Sequence, residues 1–181
     1  MSLLFRIFFG FFTITAVLQL LTIVLSHFYI NNLFLLPIYL LVQILGLGFF
    51  YSTLLNNLKW RKYTYLIIAL LLISLVIELS TSIYSSEFPL TWYTHIILNI
   101  VFAIISFSFL LNQMDSSKKT ALLIINISIF FYLSIHSLIF FFGDLLLNIS
   151  SDNQTIIWNI NTLAHLVFIT LIGFSLWKIV K

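Results

Sequence analysis

Six apolar runs set the terms for this chain. They cover about 4–26, 33–55, 63–84, 90–112, 120–142 and 156–178. A helix that crosses a bilayer needs roughly 20 consecutive apolar residues, and each run meets that length. Backbone amides in hydrocarbon have no water to bond, so a spanning segment must be a helix or part of a closed barrel. Runs this long exclude barrel strands, which are about half the length. The expected fold is therefore all-α: a polytopic membrane protein, a bundle of six transmembrane helices forming one domain over 1–181. With 62% hydrophobic and 7% charged residues and a mean hydropathy of +1.17, the chain has too little polar surface for a soluble domain. The first run is too long for a signal peptide, and no small-residue cleavage site follows it.

The charges give the expected orientation. The 8 Lys and Arg residues are Arg6, Lys59, Arg61, Lys62, Lys118, Lys119, Lys178 and Lys181. In a six-span arrangement all of them fall on one side. The opposite connections carry Glu87, Asp144 and Asp152 instead. The excess of Lys and Arg in cytoplasmic loops then places both termini in the cytoplasm, N-in and C-in, with the chain in a plasma membrane. Cations spread over four short segments are a topology signal and exclude a nucleic-acid face. Cysteine is absent, which removes disulfides, thiolate metal sites and thiol nucleophiles together.

Against this apolar background the polar residues form a layer in the outer half. At ~1.5 Å rise per residue, Glu78 comes to roughly 9 Å deep and His165 to roughly 13 Å. His95, His136, Gln19, Gln43, Asn99 and Asn161 lie at similar levels. Residues four apart share one helix face. The pairs Tyr39/Gln43, His95/Asn99 and Asn161/His165 each have that spacing, as do Ser74/Glu78 and Thr15/Gln19. Ionisable groups within a bilayer cost about 2.5–3.5 kcal/mol on insertion scales, so they turn inward and find partners. The expected result is an outward-facing polar pocket built from Glu78, His95, Asn99, His136 and His165, with Gln19, Gln43 and Asn161 beside them.

Several functions fit such a layer. The plainest is structural, with neutral polar side chains bonding helix to helix. Three imidazoles and a carboxylate also suit zinc, so His95, His136, His165 and Glu78 are the candidate ligands. No H-x-x-x-H or H-E-x-x-H spacing demands a metal, however. Two histidines on facing helices can hold a b-type haem, and no C-x-x-C-H permits a covalent one. Either cofactor would make the chain a membrane enzyme or electron carrier. A transporter would need broken helices. Only Pro37 and Gly46-x-Gly48 in the second run disturb one. The remaining reading is a sensing or ligand-binding subunit without catalytic residues.

The stretch NNLFLLPIYLLVQILGLGFFYSTLL, together with WNINTLAHLVFITLIGFSLWK near the C-terminus, resembles small uncharacterised six-helix bacterial membrane proteins. These are similar to the membrane-embedded sensory regions that accompany histidine kinases. The resemblance covers most of the chain and brings no catalytic motif. It implies a bacterial inner-membrane sensor that works with a separate membrane or cytoplasmic signalling protein. Membrane lipid and a second copy of the chain are the other expected partners.

Overall fold

The computed structural model describes residues 3–28, 30, 34–55, 58–85, 92–113, 120–142 and 151–180. Among them the chain is all α-helical. The helices are α1 (Leu3–His27), α2 (Leu35–Leu54), α3 (Leu58–Ser85), α4 (Trp92–Gln113), α5 (Thr120–Phe141) and α6 (Ser151–Val180). Four of them contain stretches long and apolar enough to cross a membrane: Leu35–Leu54, Leu58–Thr81, Tyr93–Leu111 and Leu122–Phe141. The described apolar stretches of α1 and α6, Arg6–Thr22 and Leu163–Ser175, are shorter. Helices α3 and α6 each begin five residues before the apolar runs that announce them. Hydropathy marks where a chain enters hydrocarbon, whereas a helix continues into the polar boundary as long as its own amides are bonded. With 28 residues, α3 is about 42 Å long, well beyond a hydrocarbon core of about 30 Å. Its first turns thus carry Lys59, Arg61 and Lys62, all exposed. Glu87, Lys118, Lys119, Asp144 and Lys181 lie outside the described residues.

The chain divides into two compact units, Met1–Thr94 and His95–Lys181. In the first, α2 packs against both α1 and α3. Two glycines make this close approach possible. A Cβ on Gly46 would collide with the ring of Phe11 on α1, and one on Gly48 would come within 2.5 Å of Ile68 on α3. Residues two apart point about 200° apart around a helix, so each glycine notches one side of α2. Small residues let membrane helices approach where no hydrophobic drive between them exists. Gly46 and Gly48 therefore do not break α2, which runs unbroken through both. Pro37 sits in its first turn, where the missing N–H has no intrahelical partner to lose. Phe8 and Phe50 meet as tilted rings with 4.7 Å between centres, which pairs the start of α1 with the end of α2.

The second unit contains α4 from His95 onward, α5 and α6. Helix α5 packs along α6. It is tied to α4 by Ser106, whose hydroxyl donates to the Asn126 carbonyl at 2.7 Å. The Asn126 amide in turn donates to the Leu122 carbonyl of its own helix at 2.9 Å. Phe102, Ile125, Ile129, Leu133 and Ile172 on these three helices are buried. Most hydroxyls in both units bond the carbonyl one turn back, as Thr15, Thr22, Ser128, Ser134 and Ser175 do. Such a bond satisfies a Ser or Thr inside its own helix.

Candidate functional site

The polar residues of the second unit meet on three helices. His95 and Asn99 sit one turn apart on α4 and are both fully enclosed, 1% and 0% exposed. On α5 the series Tyr132, His136, Phe140 repeats every four residues and so forms one stripe. His165 and Phe168 stand three apart on α6. These elements interlock through their rings. His95 stacks on Phe140, with 4.6 Å between centres and 20° between planes, and meets His136 edge-on at 6.1 Å. His136 stacks on Tyr132 at 5.2 Å, and Tyr132 stacks on Phe168 at 4.6 Å. His165 lies against Tyr132 at 5.3 Å.

Hydrogen bonding within this cluster is incomplete. The Asn99 amide donates to Nδ1 of His136 at 3.2 Å. With Nδ1 accepting, neutral His136 carries its proton on Nε2. Asn99 Oδ1 is then buried without a partner among the described residues, as is His165 Nε2. Both ring nitrogens of His95 are in the same condition. Leaving a buried donor or acceptor unbonded costs about 1–3 kcal/mol, and more than nine in ten such groups in folded proteins are bonded to protein or water. Four such atoms therefore fall within one cluster of ring contacts. Among the described residues, no three His, Cys, Asp or Glu side chains come together as a metal ion would require.

The other candidates belong to the first unit. Glu78 is half-buried on α3, and its carboxylate serves the start of α4. Oε1 accepts from the Tyr93 amide at 2.8 Å and the Thr94 amide at 3.3 Å, and Oε2 accepts from Thr94 at 3.2 Å. The first amides of any helix lack intrahelical acceptors, and a negative charge is favoured there. One turn earlier, Ser74 shares a 2.7 Å hydrogen bond with the Thr94 hydroxyl. Gln43 on α2 is 2% exposed, and its Oε1 has no partner among the described residues. Gln19 is half-buried on α1. Asn161 is on α6, and its side chain lies outside the described residues.

Sequence spacing singled out the polar members of the cluster but not its aromatic frame. Tyr132, Phe140 and Phe168 are hard to notice in a chain where 18% of residues are aromatic. The one available signal is the four-residue interval that Tyr132 and Phe140 share with His136. No family model matches the chain, and no curated protein or solved structure is significantly similar to it.

Proposed function

We propose that this chain is a sensing or ligand-binding subunit of a bacterial inner membrane, without catalytic residues of its own. It spans the bilayer six times with both termini in the cytoplasm, and it holds its ligand in a polar pocket that opens outward. The pocket centres on His95, Asn99, His136 and His165. The observation that carries this reading is His95. An imidazole 1% exposed, in a bilayer-spanning helix, with neither nitrogen bonded among the described residues, is expensive to keep unless a partner arrives from outside the chain. A purely structural layer would bond helix to helix, as Ser106 does with Asn126. The partition of all 8 cations to one side supports the topology. The ring frame fixes the imidazoles, which suits a binding site more than a flexible contact. A cytoplasmic partner reads out the bound state, in keeping with the resemblance to kinase-associated sensory regions.

The test is purification in mild detergent without chelator, followed by native mass spectrometry, a visible spectrum and metal analysis. The expected result is a colourless, metal-free protein that carries a small added mass or a co-purifying signalling protein. A Soret band, or about one metal per chain, would overturn the reading in favour of a redox or metal-dependent enzyme.

A further inference from the structure

We infer that the α4–α6 cluster binds a neutral hydroxyl group, held edge-on by His95 and Asn99. This rests on the binding reading above in taking the His95 nitrogens to be partnered by a molecule from outside the chain. Three properties of the site narrow what that molecule presents.

The first is charge. No Lys, Arg, Asp or Glu occurs in 95–114, 120–143 or 153–177. A charged ligand would be buried beside these helices without any counter-charge from them, and an unpaired charge in a bilayer is costly. With the imidazoles neutral, as burial in a bilayer favours, the ligand group is neutral as well.

The second is hydrogen-bond inventory. A neutral imidazole has one N–H donor and one acceptor nitrogen, and among the described residues both are unpartnered in His95. Asn99 Oδ1, one turn along the same face, adds a second acceptor. The two ring nitrogens point apart, so one ligand atom bonds only one of them. A hydroxyl that accepts from the His95 N–H and donates to Asn99 Oδ1 joins both residues with a single atom. A ketone or ether only accepts and leaves Asn99 Oδ1 unbonded.

The third is direction. One face of each imidazole is already covered: Phe140 lies on His95 and Tyr132 lies on His136. The nitrogens lie on ring edges, so the ligand approaches in the ring plane. A flat aromatic that binds by stacking does not fit this arrangement, whereas a compact hydroxyl does.

Hydroxyls of two sources share this chemistry: water, and the free alcohol of a neutral lipid such as a diacylglycerol. A groove of about 390 Å³ on the same α4–α5 pair, lined by Ile100, Phe107, Phe130 and Leu138 among other residues and by the two serines Ser134 and Ser137, is mostly apolar and would take acyl chains.

The experiment is nuclear magnetic resonance on the full chain in lipid nanodiscs with ¹⁵N-labelled histidine, using dioctanoylglycerol as the probe. His95 signals are assigned by their loss in the His95→Phe variant, which keeps a ring on Phe140. Proton transfer from water or from the probe's hydroxyl to the His95 nitrogens is then read. The expected result is hydrogen-bonded His95 nitrogens in contact with an exchanging hydroxyl proton. If contact stays with water at saturating dioctanoylglycerol, the hydroxyl is water's. If the probe displaces the water contact, and Asn99→Ala weakens that displacement at least tenfold, the hydroxyl is a lipid alcohol's. Nitrogens bonded to a group without a hydroxyl proton would overturn this inference and leave the binding reading standing. Free nitrogens would overturn both.

Discussion

Removing the Glu78 carboxylate should loosen the start of α4, and the size of the effect follows from its bonds. The carboxylate accepts from the amides of Tyr93 and Thr94. Thr94 is fully enclosed, so in Glu78→Ala its amide loses an acceptor where water cannot easily replace it. An unbonded buried amide costs about 1–3 kcal/mol. A negative charge at a helix start contributes about 0.3–1 kcal/mol when exposed. Glu78 is half-buried, so solvent screening keeps its contribution near that range. Together these give a loss of about 1–4 kcal/mol for Glu78→Ala. Glu78→Gln keeps one acceptor oxygen and loses the charge, so about 1 kcal/mol is expected. The assay is reversible unfolding in mixed micelles, followed by circular dichroism, with hydrogen exchange at Tyr93 and Thr94 as the local readout. Both variants should speed exchange at these two amides, the alanine variant more. A Glu78→Ala protein within about 0.5 kcal/mol of the wild type, with unchanged exchange, would refute the role of Glu78 as the acceptor that holds α4.

Other perturbations probe separate parts of the structure. Gly46→Leu drives a side chain into Phe11 and should cost at least about 1–3 kcal/mol, with part of the loss recovered in the Gly46→Leu, Phe11→Ala double variant. Ser106→Ala removes the donor to the Asn126 carbonyl, and melting should show a loss of about 0.6–1.7 kcal/mol, the range for hydrogen bonds between membrane helices. Asn99→Ala takes the donor from His136 Nδ1, so a shift of the His136 ring ¹⁵N signal is expected together with a loss of about 1–2 kcal/mol. Because the chain has no cysteine, a single cysteine at Arg61 should react with an impermeant maleimide only from the cytoplasmic side. Reaction from the outer side would overturn the proposed orientation.

The helices were legible because crossing a bilayer imposes a length and a composition, both visible in one sequence. Their ends were less so. Leu58 and Ser151 begin helices in polar sequence, where hydropathy has nothing to report. His95 and Asn99 were placed on one face by spacing alone, since four residues make about one turn. That Asn99 reaches His136 was not readable, because contacts between helices depend on rotation and depth that no local pattern encodes. Glu78 shows the same limit. Its carboxylate accepts from the Tyr93 and Thr94 amides, and because every residue carries an amide, no sequence pattern points to those two. Gly46 and Gly48 looked like interruptions of a helix. They are the points where α1 and α3 come closest to α2, which is legible only once the neighbours are known.

The central claim is that His95 and Asn99 are bonded by a molecule from outside the chain. A crystal structure grown from lipidic mesophase tests it most directly. Non-protein density is expected within about 2.7–3.2 Å of a His95 ring nitrogen and of Asn99 Oδ1. Protein side chains closing on both His95 nitrogens, or a dry site with no density there, would contradict it.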